Sequence, residues 1–178
     1  MLKRIQNWDN RLLRIISSKH TQKLDKLMVI VTRTGNNGYI WFLLSIPMLF
    51  FNRYRLVGYT TMLAMLISSL TGEITIKHIV ARVRPCNRDF GQELLIKHPA
   101  HYSFPSGHTS SSFSVTWVMF FMLPLLFIPV LIYACLMGFS RIYLLVHYPT
   151  DVIAGVILGT ICGMVAVSVS PYIPFFPF

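Results

Sequence analysis

The sequence is poor in charged residues, and acidic residues are especially scarce. Among its 178 residues only 12% are charged, whereas 54% are hydrophobic and the mean hydropathy is +0.58. Soluble domains carry about a quarter charged residues. The low charge therefore excludes an ordinary soluble protein and predicts a polytopic membrane protein that forms one domain over residues 1–178.

Cysteine is also rare, with three residues in the whole chain. Three cysteines are too few for the disulfide framework of a small secreted domain. Cys135 and Cys162 lie inside apolar runs, where cysteine packs as a small apolar residue. Cys86 directly follows Arg84-Pro85, so it is either a reactive thiol or a neighbour of the site without a role.

The shortage of acidic residues leaves a formal net charge of +10, from 16 Lys and Arg against 6 Asp and Glu. Such a balance suits either nucleic acid or an anionic membrane surface. No soluble basic module accompanies the apolar runs, which argues against nucleic acid. We therefore expect the lipid bilayer, and no nucleic acid, as the partner of these cations.

Apolar stretches organise the chain into helices. Residues 1–26 alternate apolar and basic positions at helical spacing, which predicts an amphipathic N-terminal helix on the membrane surface. Five clear apolar stretches follow, at residues 38–52, 56–76, 108–126, 128–146 and 151–170. With a short first crossing within residues 20–37, the prediction is an all-α transmembrane bundle of about six helices.

The number of crossings determines which side of the membrane each polar end faces. Six crossings place the basic N-terminus and the Asn52–Arg55 turn on one side, which the positive-inside rule assigns to the cytoplasm. Residues 77–108 and 140–151 then lie together on the opposite side. We therefore expect a multi-pass protein of the cell (plasma) membrane whose polar patches face the extracytoplasmic side.

Three short polar patches occur at the ends of the apolar stretches. They are Lys77 with Arg84-Pro85, then Pro105-Ser106-Gly107-His108, and then Ser140-Arg141 with His147 and Asp151. Charged groups at the ends of apolar spans are costly and usually functional. Because all three patches fall at the same membrane face, we expect them to form one site, covered by a loop over residues 85–104.

The second patch begins a helix and is suited to hold an anion. Ser106 is a favourable N-cap, Gly107 allows a ligand close to the backbone, and a helix start presents free N–H groups. Many helices begin with Pro-Ser, so the pattern alone is weak. The adjacent His108 makes it more informative, because histidine changes its charge near neutral pH.

His147 and Asp151 are four residues apart near a predicted helix start, which places their side chains on one face. A carboxylate that accepts one imidazole N–H leaves the other ring nitrogen free to attack phosphorus. It also stabilises the positive charge that the attack creates. The alternative is a helix-capping carboxylate beside an interfacial histidine.

Lys77, Arg84 and Arg141 supply three cations to the predicted site. A phosphoryl group in transfer carries negative charge on three equatorial oxygens, and arginine can hold two oxygens at once. A snorkelling interfacial residue explains one such cation but not three. Because the site is cationic and lacks a His-x-x-x-His or paired acidic motif, we predict no metal and no other cofactor.

At these residues the chain resembles the type-2 phosphatidic acid phosphatase family, which also includes vanadium haloperoxidases and bacterial acid phosphatases. That family carries Lys-x6-Arg-Pro, Pro-Ser-Gly-His and Ser-Arg-x5-His-x3-Asp, and every position is matched here, within residues 77–85, 105–108 and 140–151. The resemblance covers residues 73–155 in detail and the six-helix membrane layout in outline. It implies phosphatase chemistry without a metal and, in membrane members, a site on the outer face.

The resemblance also implies roles for individual residues. His147 would be the nucleophile that forms a phosphohistidine, Asp151 would orient it, and His108 would protonate the leaving oxygen and later activate water. The residues that would bind the phosphoryl oxygens are Lys77, Arg84, Ser106, Gly107, Ser140 and Arg141. Glu73, four residues before Lys77, either holds the Lys77 side chain or forms an ordinary interhelical hydrogen bond.

These observations favour an integral membrane lipid phosphatase that hydrolyses a lipid phosphomonoester or diphosphate. Undecaprenyl diphosphate and phosphatidylglycerol phosphate are the favoured substrates, with phosphatidic acid and lipid A phosphate as alternatives. The small size suits a bacterial cell-envelope enzyme. A phosphoryl-lipid transferase could use the same site with an acceptor hydroxyl in place of water. A transporter would explain intramembrane charge but not the spacing of the histidines and Asp151.

Overall fold

The computed structural model describes residues 2–88, 94–99 and 102–172, and these ranges contain helices and turns without a strand. The helices, in chain order, are α1 (Leu2–Ser17), α2 (Gln22–Thr34), α3 (Tyr39–Met48), α4 (Asn52–Ser69), α5 (Lys77–Val80), α6 (Gly107–Met122), α7 (Phe127–Tyr143) and α8 (Pro149–Val169). A π-helical segment, Leu70–Ile76, joins α4 to α5. The predicted amphipathic segment 1–26 is thus divided between α1 and the start of α2.

Within the described residues, three segments are long and apolar enough to cross a membrane. They are Asn52–Asn87, Pro124–Tyr143 and Pro149–Tyr172. The shorter helix α6 lies at the centre of the bundle, where it packs against α4, α7 and α8. The prediction of an all-α transmembrane bundle is confirmed.

Glycines on α8 allow it to approach α6 closely. They recur every fourth residue, at Gly155, Gly159 and Gly163. A Cβ atom added at Gly155 would lie 2.8 Å from the Ser106 carbonyl oxygen, and one added at Gly159 would collide with the Ser110 carbonyl. Because backbones can meet this closely only where no side chain intervenes, the glycines bring the start of α6 next to the start of α8.

Helices α2 and α3 run in the same direction along α7, whereas a separate crossing within residues 20–37 would require the chain to reverse between them. Beside the start of α2, Tyr143 at the end of α7 donates to Asp25 at 2.6 Å. Ten residues earlier in α7, the Tyr133 hydroxyl bonds with Thr34, and the Tyr133 ring contacts Trp41 of α3 with centroids 5.3 Å apart. Both helices therefore run in one direction along α7.

The kink between α2 and α3 lies in the Gly35-Asn36-Asn37-Gly38 sequence. Asn37 has φ 50° and Gly38 has φ 73°, both in the left-handed region that asparagine and glycine tolerate best. This left-handed pair interrupts the helix, but α2 and α3 keep the same direction on either side of it. Hydropathy alone does not distinguish this kink from a turn between two crossings.

Helix α1 lies at the same end of the bundle as the polar patches, which corrects its predicted placement. The buried carboxylate of Asp9 accepts a hydrogen bond from the Thr150 backbone N–H at 3.0 Å, at the start of α8. The Asn52–Arg55 turn is at the opposite end, because α4 and its continuation run from there to Lys77. The N-terminus and this turn are therefore at opposite ends of the bundle, whereas the six-crossing arrangement places them at the same end.

Candidate active site

The three polar patches meet around one cavity of about 820 Å³. The predicted site residues that line it are Lys77, Arg84, Gly107, His108, Arg141 and His147. Lys77 begins α5, Gly107 and His108 begin α6, and Arg141 lies in the last turn of α7. The cavity is therefore cationic at the end where these helix termini meet.

A tight turn after α7 positions His147. The carbonyl oxygen of Arg141 accepts hydrogen bonds from the backbone N–H groups of Val146, at 3.2 Å, and His147, at 3.1 Å. Leu145 adopts φ 56°, a left-handed conformation that reverses the chain here. The turn holds the imidazole at the wall of the cavity with 2% of the residue exposed.

The hydrogen bonds of His147 determine which ring nitrogen is free. Nδ1 lies 2.7 Å from the carbonyl oxygen of Ser103. A carbonyl can only accept, so Nδ1 carries the proton and Nε2 carries the lone pair. Nε2 is 3.2 Å from Nη1 of Arg84, which also donates to the Val146 carbonyl at 2.8 Å. The lone pair thus faces a guanidinium group.

The surroundings of His147 also hold its pKa well below the usual range. Burial disfavours the charged imidazole, and the positive charges of Arg141, Arg84 and Lys77 act in the same direction. The imidazole is therefore neutral near pH 7, the state in which a ring nitrogen can act as a nucleophile or base.

Asp151 does not form the expected direct hydrogen bond with His147. Its Oδ2 lies 3.7 Å from Nδ1 and instead accepts from the Tyr148 backbone N–H at 2.9 Å. Oδ1 accepts from Arg82 at 2.6 Å. Asp151 thus caps the first turn of α8 and places a negative charge beside the imidazole, while the Ser103 carbonyl accepts the hydrogen bond from Nδ1–H.

His108, in the first turn of α6, lines the same cavity. Its Nε2 lies 3.0 Å from the Asn36 side-chain oxygen in the kink between α2 and α3. The first N–H groups of α6 have no acceptor within the helix, so the helix start presents donors to an anion in the cavity. His108 therefore stands beside the place where an anion would bind.

The remaining cations are held by neighbouring side chains. Lys77 Nζ lies 2.6 Å from both carboxylate oxygens of Glu73, so the suggested Glu73–Lys77 contact is present. Arg141 donates to the Thr32 hydroxyl of α2. A Cβ atom at Gly107 would collide with the Glu73 carboxylate, which lies against the start of α6.

The chain matches a family model described as the PAP2 superfamily over residues 53–174, which span all three patches. The chain belongs to the PAP2 superfamily.

Similar proteins of known activity support a membrane lipid phosphatase. The chain is 32% identical over 159 residues to an undecaprenyl-diphosphatase of Sulfolobus acidocaldarius, covering 89% of this chain and 76% of the relative. It is 30% identical over 149 residues to phosphatidylglycerophosphatase B of Bacillus subtilis, covering 76% of this chain and 70% of the relative. Like these relatives, this PAP2 protein is a phosphoric ester hydrolase of the membrane.

Solved PAP2 structures share the fold. The crystal structure of Aquifex aeolicus LpxE superimposes with a TM-score of 0.77 at 29% identity, covering 89% of this chain and 93% of the other. A transmembrane PAP2-type phosphatidylglycerolphosphate phosphatase from Bacillus subtilis gives 0.78 at 26% identity, covering 97% and 89%. The likeness therefore extends over nearly the whole PAP2 chain, including α1 to α3.

Three predicted residues of the PAP2 site lie behind the cavity wall. The Ser106 hydroxyl accepts from Thr109 at 2.9 Å, and the Ser140 hydroxyl donates to the Met137 carbonyl at 2.7 Å. Asp151 is also fully buried. Ser106 occupies the N-cap position of α6, but its side chain makes no capping hydrogen bond.

Two other predictions concern the covering loop and metals. Within the described part of the loop, the Cys86 sulfur lies 4.0 Å from Nδ1 of His98. Residues 89–93, 100 and 101 of the predicted covering loop, which include Asp89, Glu93 and His101, lie outside the described residues. Among the described residues no three His, Cys, Asp or Glu side chains are grouped as metal ligands. A metal-free reaction stays a prediction.

Proposed function

We propose that the chain hydrolyses a phosphomonoester or diphosphate on a membrane lipid, with His147 as the nucleophile. The observation that carries this proposal is the imidazole itself: Nδ1–H is fixed by the Ser103 carbonyl, and the Nε2 lone pair faces the cationic cavity. A neutral imidazole next to several fixed cations is suited to attack a phosphoryl group, whose charge the cations stabilise.

The proposed reaction has two steps. In the first, Nε2 of His147 forms a bond to phosphorus while the bond from phosphorus to the leaving oxygen breaks, and His108 gives a proton to that oxygen. In the second, His108 accepts a proton from water, the water oxygen forms a bond to phosphorus, and the bond from phosphorus to Nε2 breaks, which releases phosphate and restores His147. Lys77, Arg84 and Arg141 bind the phosphoryl oxygens, with N–H groups at the start of α6.

Asp151 stabilises the cationic imidazole that the first step creates. At 3.7 Å from Nδ1 its carboxylate is close enough for a strong electrostatic interaction in a buried site. Ser106 and Ser140 support the backbone of the site in this scheme, because their hydroxyls are engaged with Thr109 and the Met137 carbonyl.

The shape of the cavity supports a lipid substrate. Beyond the cations, its wall is apolar and is formed mainly by α3 and α4, as far as Leu49 and Tyr59 at the other end of the bundle. Tyr59 and Lys77 are eighteen residues apart, which is about 27 Å along a helix and close to the thickness of a bilayer core. A phosphate at Lys77 therefore allows a hydrocarbon tail to lie along α4.

Undecaprenyl diphosphate and phosphatidylglycerol phosphate remain the favoured substrates, and they match the names of the Sulfolobus and Bacillus relatives. We expect purified protein in detergent to release phosphate from one of these lipids at least tenfold faster than from a soluble phosphomonoester, because only a lipid fills the apolar wall. The rate should be unchanged by EDTA. Equal rates on soluble and lipid esters would contradict the assignment of the cavity to a tail.

The same assay separates the main alternatives. A lipid panel that includes phosphatidic acid and lipid A, with labelled acceptor alcohols in parallel, distinguishes hydrolysis from phosphoryl transfer. Strong inhibition by EDTA would show that a metal takes part, contrary to the prediction.

The family resemblance favours an extracytoplasmic site. The cations of α1 lie at the site end, whereas the opposite end carries Arg53 and Arg55. The positive-inside rule consequently favours the reverse orientation. The resemblance and the charge distribution predict opposite orientations, which a topology measurement distinguishes.

Cysteine labelling in whole cells supplies that measurement. In a background with both Cys86→Ser and Cys135→Ser, Ser18→Cys places a thiol at the site end and Asn52→Cys places one at the other end; both positions are exposed. With the site outside, a membrane-impermeant maleimide labels the cysteine at position 18 in intact cells and labels the one at position 52 only after lysis. The reverse pattern would place the site in the cytoplasm and leave the proposed reaction untouched.

A further inference from the structure

Arg82 bridges the active site to the N-terminal helix, although it is not part of the three-patch pattern. Its Nη1 donates to Oδ1 of Asp151 at 2.6 Å, and its Nη2 donates to Oδ2 of Asp9 at 2.6 Å. The guanidinium carbon lies 3.9 Å from the ring centroid of Tyr148. Two ionic hydrogen bonds and a stacked ring fix the guanidinium in one orientation.

Asp9 is a buried carboxylate that binds Arg82 and the start of α8. It is the only acidic residue of α1, and it is fully buried. Besides Arg82, it accepts from the backbone N–H of Thr150 at 3.0 Å and from the Thr150 hydroxyl at 2.5 Å. A buried carboxylate is tolerated only when it is paired and hydrogen-bonded, and Asp9 meets both conditions.

The other end of this chain of contacts is the carboxylate beside the proposed nucleophile. Asp151 uses Oδ1 for Arg82, while Oδ2 accepts from the Tyr148 N–H and lies 3.7 Å from Nδ1 of His147. The bond to Arg82 therefore acts with the bond from the Tyr148 N–H to fix the rotation of the carboxylate, and with it the position of the oxygen nearest the imidazole.

We propose that Arg82 and Asp9 are positioning residues of the reaction: Asp9 holds Arg82, and Arg82 holds Asp151 where its charge stabilises the cationic phosphohistidine. Helix α1, which lies across the site end of the bundle, is thereby a functional part of the site. This inference rests on the proposed function, because it takes His147 as the nucleophile.

The proposal predicts a loss in turnover more than in binding. Neither side chain lines the cavity, so Arg82→Gln and Asp9→Asn should leave KM within about threefold while kcat falls about 10- to 100-fold, as for other residues that orient a reacting group. Arg82→Lys, which keeps the charge but not the fork, should recover part of kcat. The double variant should be no worse than Arg82→Gln, because both changes break one chain of contacts.

A pH profile separates positioning from a loss of stability. The charged and titratable groups that surround His147 in the described structure are Lys77, Arg84, His108, Arg141 and Asp151. Arg82→Gln leaves the negative charge of Asp151 without its counterion, which favours the protonated imidazole and moves the acid limb of kcat/KM to higher pH. Asp9→Asn removes one of the two carboxylates paired with Arg82, so the net charge near the imidazole becomes more positive and the acid limb should move to lower pH.

The experiment compares these variants with Arg11→Gln, an exposed cation of α1 that serves as the matched control. Wild-type kcat together with an unmoved acid limb in Arg82→Gln would overturn the proposal, as would shifts in the same direction for both variants. Asp9→Asn changes only one carboxylate oxygen to an amide nitrogen. If Arg82→Gln does not fold, the kcat and the acid limb of Asp9→Asn test the proposal in its place. An inactive wild-type protein, or full activity in His147→Ala, would instead defeat the proposed function.

Discussion

Replacing His147 by alanine is expected to lower phosphate release by on the order of 10⁴-fold or more, as removal of a covalent nucleophile does in other enzymes. The side chain supplies the only lone pair among the described groups that both is fixed by a backbone acceptor and faces the Arg84 guanidinium. Binding of the lipid should persist, because the cations and the apolar wall are unchanged. The rate is measured as phosphate released from the preferred lipid in detergent.

His78→Ala is the matched control for this variant. His78 is exposed one residue after Lys77, and its ring contacts the Ile74 carbonyl at 3.0 Å outside the cavity. It should keep wild-type activity. If His147→Ala also kept it, the nucleophile would have to be another group.

Replacing Arg84 by glutamine is expected to lower kcat/KM by about 10²- to 10³-fold, the usual effect of removing one donor that stabilises transition-state charge. Arg84 Nη1 lies 3.2 Å from the His147 lone pair, so it borders the position that phosphorus must occupy. Its bond to the Val146 carbonyl also holds the turn that carries His147. Loss of either interaction reduces the rate. The stabilisation of transition-state charge is lost in Arg84→Gln even if the turn that carries His147 stays in place.

Arg84→Lys should lie between wild type and Arg84→Gln, because lysine keeps the charge but not the two-point grip. Arg53→Gln changes an exposed arginine at the other end of the bundle and should be neutral. An Arg84→Gln protein with kcat/KM within threefold of wild type would remove Arg84 from the phosphate site.

The sequence predicts the site better than it predicts the path of the chain. The three patches could be placed together because each lies at the end of an apolar stretch, and helices of similar length bring such ends to one face. His147 falls in the third patch, and its expected role as nucleophile comes from the family resemblance. Its actual hydrogen-bond acceptor, the Ser103 carbonyl, is a backbone group, and backbone groups leave no trace in residue identity.

The contacts that sequence reasoning missed join distant parts of the chain. Asn36 meets His108 across 72 positions, and Asp9 meets Arg82 across 73. Asp9 was one polar position among many in a helix with an amphipathic pattern. In the structure Asp9 is buried and accepts hydrogen bonds from Thr150 and Arg82. These contacts hold α1 at the site end of the bundle.

The most direct test of the account is to look for phosphate on His147 during turnover. Protein mixed with phosphorus-labelled lipid, quenched in alkali and digested, should carry label on the peptide that contains His147. The label should disappear on acidification, because a phosphorus–nitrogen bond is acid-labile, and it should be missing from His147→Ala. Label on a different side chain, or none while a burst of product is released, would contradict nucleophilic attack by this imidazole.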